Sequence, residues 1–333
     1  MKKILCICFA FCMLCTMFAA CSRHPSTDAT KEPDVVSGQK LKIVATIFPT
    51  YDWVRNILGD RLADTELTLL LDNGVDLHSY QPTASDIMRI SDCDLFVYVG
   101  GASDKWTEDV LTQAAGSDLT AVNLLQVLGD RAKEEVVKEG MEDETEEPGT
   151  EEEIEYDEHV WLSLSNAVLF CNALCDALCE IDPAYADVYT ANTAAYTNEL
   201  SALDMEYASA LETSPVKTLV FGDRFPFRYL TDAYGLDYYA AFTGCSAETE
   251  ASFETVTFLV NKIDELGLDC LFAIEGTNHK LAETIAKETA SGEKKIFVLN
   301  SLQSVTSADV DAGADYLQIM RNNLNVLKDA LLP

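Results

Sequence analysis

Histidine is scarce in this chain, which makes each one worth weighing: His24, His78, His159 and His279 are the full set. Neutral imidazole is the commonest protein ligand for zinc and related metals. His78 follows the strand-like run Thr65–Leu71 and the turn-forming Asp72-Asn73-Gly74. That places it in a loop just past a strand, where α/β proteins bind ligands. His159 closes an acidic stretch, for residues 139–158 hold twelve acids and no base. Such a run by itself is a solvated loop. Ending directly on His159 gives it a second reading, as a low-affinity cation collector beside a metal site. The two histidines are 81 residues apart, so no local motif joins them, and taken singly each reads first as a surface or core residue.

Catalytic signatures are absent: no GxSxG, HExxH, GxxxxGK[ST] or GxGxxG occurs. Glu158-His159 has no second histidine four residues on. Carboxylate pairs are abundant, but in a chain with 56 acids and 23 bases they discriminate nothing. These readings argue against an enzyme. The formal net charge of −33 disfavours nucleic-acid binding.

Strand-like and helical patterns alternate in the elements that would position the histidines. Residues 42–48, 65–71 and 94–100 read as strands, with helices near 51–58, 83–91 and 104–114. Strands at 216–222, 236–242, 268–274 and 295–300 follow, with helices near 226–233, 253–266, 278–290 and 312–330. This alternation predicts parallel sheets covered on both faces, hence two α/β lobes. Between them, Tyr185, Tyr189, Asn192, Tyr196, Leu203, Tyr207 and Ala210 recur at helical spacing, and no Gly or Pro interrupts 184–211. The expected organisation is a signal peptide at 1–20, a lipidated Cys21 with a flexible tether at 21–40, an N-terminal lobe at 41–182 with an acidic loop at 131–158, one long rigid helix at 183–212, and a C-terminal lobe at 213–333.

The leader reading rests on Lys2 and Lys3, the apolar run Ile4–Phe18, and Ala19-Ala20-Cys21. The last resembles a bacterial lipobox, with Phe18 where Leu is usual. It implies cleavage before Cys21, a lipid on its sulfur, and an extracytoplasmic protein anchored to the cell membrane. Of eleven cysteines, six lie beyond Cys21: Cys93, Cys171, Cys175, Cys179, Cys245 and Cys270. Cys171, Cys175 and Cys179 repeat every four residues, so they share one helix face and read as small core hydrophobes.

Residues 41–330 resemble the zinc/manganese substrate-binding proteins of ABC importers, the high-affinity zinc-uptake family. The match is carried by VATIFPTYDWVRNILGDR, LLLDNGVDLHSYQPTASDIMRISDCDLFVYVGG, DEHVWLSLSNAVLFCNALCDAL, CSAETEASFETV and IEGTNHKLAETIAKET. It implies the metal-binding class of periplasmic-binding-protein-like folds, two lobes spanned by one long helix with metal between them. It places ligands at His78 and His159, with Zn2+ as cargo and Mn2+ or iron as the alternative. It further implies a monomer working with a permease and its ATPase. His279 has no ligand counterpart. At the usual third ligand stands Arg224, which cannot ligate a cation. Asp223, Glu250, Asn300 and water are the candidates to complete the site, and Glu275 matches a family acid expected to orient an imidazole. The rival readings are a surface adhesin or structural lipoprotein with a degraded site, and a zinc-dependent hydrolase.

Overall fold

The computed structural model describes residues 40–116, 118–142, 155–246 and 250–332. The leader, Cys21, the tether and the centre of the acidic run lie outside the described residues.

The chain begins β1 (Leu41–Ala45), α1 (Phe48–Leu58), β2 (Thr65–Leu69), α2 (Ala84–Ser91), β3 (Leu95–Tyr98), α3 (Trp106–Gln113), β4 (Thr120–Asn123) and α4 (Leu124–Leu128). Its strands form a parallel sheet in the order β2-β1-β3-β4. α5 (Leu164–Ile181) and α6 (Ala186–Glu212) follow. A second parallel sheet, β6-β5-β7-β8, is built from β5 (Thr218–Phe225), α7 (Arg228–Ala233), β6 (Asp237–Thr243), α8 (Phe253–Leu266), β7 (Cys270–Ile274), α9 (Lys280–Glu288), β8 (Lys295–Leu299), α10 (Ser307–Asp311) and α11 (Tyr316–Leu331). Both sheets reverse direction next to their first strand. The loops leaving the carboxyl ends there part and open a crevice, the usual ligand position in such sheets. Central strands such as β3 and β7 are buried throughout, as expected of parallel strands covered on both faces. Of the described strands, β4 alone escaped the sequence reading, as did the short helices α4 and α10, because segments of four or five residues are too short to show a period.

The 27 residues of α6 span about 40 Å at 1.5 Å per residue. Tyr189, Thr193, Tyr196, Leu200, Leu203, Tyr207 and Leu211 form its buried stripe. Asn192 Nδ2 donates to the Ile57 carbonyl in α1 at 3.0 Å, and the Tyr207 hydroxyl donates to the Met320 carbonyl in α11. The lobes are also pinned directly: Asp52 of α1 accepts the Tyr316 backbone N–H at 3.0 Å, and Arg55 donates to the Ala314 carbonyl at 3.0 Å. A wide hinge opening would break the two direct bonds between the lobes.

Asp104 fixes the loop after β3, near the future site. It is 1% exposed, and its Oδ2 accepts the backbone N–H groups of Val99 at 2.9 Å and Gly100 at 3.0 Å. Burial, reinforced by the charge of Glu158, pushes its carboxyl up to about 7. A raised folded pKa means that stability is full below the unfolded value and falls as pH rises through the folded one. Asp104→Asn removes this slope. Between about pH 5 and about pH 8 the variant should gain on the parent by about 2–3 kcal/mol in urea unfolding. Parallel stability curves would show that Asp104 stays ionised.

Candidate metal centre

Local capping places both key histidines. After β2, Asp76 Oδ1 accepts the backbone N–H of His78 at 3.0 Å and starts a single 3-10 turn, Leu77–Ser79. Buried Leu77 anchors that turn. His78 Nδ1 then lies 2.8 Å from Ser103 Oγ and 3.4 Å from Glu158 Oε2. Ser103 belongs to the loop after β3, and its backbone N–H donates to Glu158 Oε1 at 2.9 Å. Asp157 Oδ1 accepts both the backbone N–H of His159 at 2.9 Å and its Nδ1 at 3.0 Å. The His159 ring is wholly buried and packs against Trp161, with ring centroids 5.3 Å apart. On its other side lies Gly244, where a Cβ would come within 2.8 Å of His159 Cε1, so only glycine leaves room for the ring.

The tautomers with both protons on Nδ1, His159 toward Asp157 and His78 toward Ser103 and Glu158, leave both Nε2 lone pairs for a metal ion. The two Nε2 atoms are 3.2 Å apart. Lone pairs so placed repel unless a cation lies between them. Zinc bound tetrahedrally at about 2.0–2.1 Å would hold two nitrogens about 3.3 Å apart, so the spacing fits. Cys245 Sγ joins them, the three donor atoms all lying within 4.8 Å of one another. Gln303 supplies a fourth neighbour. With its amide nitrogen toward Asp76, at 3.1 and 3.2 Å, its oxygen lies 3.1 Å from His159 Nε2.

The surroundings favour positive charge. Burial opposes ionisation of Glu158, but hydrogen bonds from His78 and Ser103 outweigh it and hold the carboxyl below its usual range. Burial likewise opposes charge on His159, yet Asp157 holds that imidazole above its ordinary value. A field that favours a proton there favours a metal ion there, and carboxylates behind ligating imidazoles are a recurrent way of tuning them. A cavity of about 240 Å³ opens onto His78, lined also by Ser103, Glu135, Glu155, Glu158 and Cys245 among others.

The model of the family described as zinc-uptake complex component A, periplasmic, matches residues 43–330. The chain belongs to that family. The zinc-binding lipoprotein AdcA of Streptococcus pneumoniae is 31% identical over 330 residues, covering 98% of this chain and 61% of that protein. The high-affinity zinc uptake system protein ZnuA of Bacillus subtilis is 29% identical over 321 residues, covering 96% and 95%. The crystal structure of the Zn(II)-bound ZnuA-like domain of S. pneumoniae AdcA superposes with a TM-score of 0.68 at 27% identity, over 88% of this chain and 99% of that one. This chain spans less than two thirds of the length of its streptococcal AdcA relatives.

Within this family member the other expected ligands are engaged elsewhere. Asp223 accepts from the Arg224 backbone N–H at 2.9 Å, from Thr277 Oγ1 at 2.9 Å and from the Ile274 N–H at 3.4 Å, so it fastens the loop after β7. Glu250 is exposed and lines a separate cavity of about 850 Å³ with Arg224, Thr277 and His279. Asn300 Oδ1 caps its own turn by accepting the Leu302 N–H at 2.8 Å, where Leu302 has a φ of 64°. Among the described residues Glu275 bonds to no imidazole. It accepts from the Ser301 N–H at 2.7 Å, Ser301 Oγ at 2.8 Å and Ser304 Oγ at 3.2 Å, and the orienting task falls to Asp157 and Glu158. Among the described residues, no group of three or more His, Cys, Asp or Glu donors unites Asp223, Glu250 or Glu275 with both imidazoles.

Sequence reasoning missed Cys245 and Gln303. The available signal for Cys245 was its place, right after Gly244 at the carboxyl end of a strand. Cys171 and Cys175 are buried on α5 while Cys179 is half-buried, and all six described cysteines are free.

Proposed function

We propose that this chain captures zinc outside the cytoplasm, between its two lobes, and hands it to an ABC permease with its ATPase. The observation that carries this is the pair of facing Nε2 atoms at 3.2 Å, with His159 Nδ1 on the Asp157 carboxylate and His78 Nδ1 on Ser103 Oγ. His78 and His159 are the proposed nitrogen ligands, Cys245 the third donor, and the Gln303 amide oxygen or water the fourth. A mixed nitrogen, sulfur and oxygen set suits zinc. The names of the S. pneumoniae and B. subtilis relatives support that cargo. Capture fits better than catalysis because the carboxylates beside the imidazoles are tied down: Asp157 to His159, Glu158 to Ser103 and His78. Neither stands ready to take a proton from a metal-bound water. A degraded site fits less well, since Arg224 turns to Asp76 at 2.7 Å and leaves the space between the imidazoles open. Anchoring through a lipid on Cys21, and action as a monomer, complete the proposal. The lipid reading is supported by the lipobox-like residues and by the lipoprotein name of one relative.

The test is calorimetric titration of the chelator-stripped chain with zinc and with manganese. One tightly bound zinc per chain is expected, with manganese weaker. Failure to bind zinc would end this reading.

A further inference from the structure

The two imidazoles belong to loops of the first lobe, so two ligands alone would leave the second lobe without a hold on the ion. Cys245 offers one, for its Sγ follows β6 in the second sheet and lies within 4.8 Å of a ring nitrogen of each imidazole. Its loop is held in place from two sides. Glu135 Oε1 accepts the Cys245 backbone N–H at 3.1 Å. Arg224 Nη1 donates to the Ser246 carbonyl at 3.0 Å, and its Nη2 to Asp76 Oδ2 at 2.7 Å. One guanidinium thus ties the peptide just after Cys245 to the carboxylate that caps His78. The planar fork of arginine suits such a two-way link, whereas a lysine ammonium offers a single point charge.

We propose that Cys245 ligates the metal as a thiolate and that Arg224 is its positioning residue, so that the site selects thiophilic divalent ions, zinc and cadmium, over manganese. This rests on the capture reading above and refines it. The residue standing where the family resemblance expects a ligand has become the strap, and the ligand has moved to the next loop. On binding, the S–H bond breaks, a sulfur–metal bond forms, and the proton leaves to solvent. Thiolate donors favour zinc, while manganese prefers oxygen.

Cobalt(II) is the probe, because a thiolate ligand gives it a near-ultraviolet sulfur-to-metal charge-transfer band. The unmodified chain should show that band on binding one cobalt ion. Cys245→Ser should lose it, with zinc affinity down about 100-fold or more and manganese affinity down less than about 10-fold. Arg224→Gln should weaken the band and lower zinc affinity by about 10–100-fold. A merely structural arginine would lower stability and leave the spectrum of the bound ion unchanged. Cobalt bound without the sulfur band, or an unchanged zinc-to-manganese ratio in Cys245→Ser, overturns this inference and leaves zinc capture standing. Absence of any metal binding by the unmodified chain overturns both.

Discussion

His159→Ala is expected to abolish tight zinc capture. The change removes one of two facing nitrogens and strands Asp157, whose Oδ1 loses the imidazole proton it accepts at 3.0 Å. Replacing a residue that only orients a ligand costs about 10–100-fold in affinity, and loss of the ligand itself should exceed that. Asp157→Asn gives the internal scale. The amide can still accept from Nδ1 but carries no charge, so its cost should fall within that range. Isothermal titration or competition with a chromophoric chelator would measure both. Parental zinc affinity in His159→Ala would remove the imidazole pair as the capture site. Equal losses in the two variants would mean that the carboxylate, not the ring nitrogen, carries the affinity.

The largest expected loss of stability is at Trp53→Ala. Trp53 is fully buried on α1, stacked on Phe170 of α5 at 5.7 Å and edge-on to Tyr316 of α11 at 5.3 Å. It therefore sits where the two lobes are pinned, beside the Asp52–Tyr316 bond. The Tyr316 hydroxyl donates to the Trp161 carbonyl at 2.6 Å, two residues past His159. Truncating a buried tryptophan typically costs about 3–5 kcal/mol, from lost transfer energy and the cavity left behind. The indole N–H has no partner here, so no hydrogen bond is lost in addition. Urea unfolding of the metal-free chain should show the drop, with Trp53→Phe retaining most of the stability. A loss below about 1 kcal/mol would show that the surrounding rings collapse into the space, so that this joint does not hold the lobes.

Hydrophobic periodicity is a local property, and what depends on it was readable from the chain alone. The seven strand runs, the helices between them and the uninterrupted pattern of α6 are each set by neighbours within a few residues. So is the capping of α8 by Ser252, whose Oγ accepts the Thr255 N–H at 3.1 Å. His78 and His159 stood out because each lies in a loop of recognisable type. Their meeting came from the family resemblance alone, since nothing in the 80 intervening residues encodes it. Glu275 matched an expected acid in sequence, yet its carboxylate turned to Ser301 and Ser304, because a side chain goes to the donors that packing brings within reach. Asp223 and Asn300 were absorbed in the same way by turns of their own lobe. In the proposed site Cys245 takes the part expected at the position of Arg224, for a reason only the fold contains. The guanidinium of Arg224 found Asp76, 148 residues away in sequence, and drew the Cys245 loop toward the imidazoles. The sequence by itself determined the layers, the long helix and two of the ligand candidates, because short-range pattern and turn chemistry decide those. Which donor the second lobe contributes was decided only by the tertiary structure, where charge pairing and packing across the cleft choose among side chains that look alike on the page.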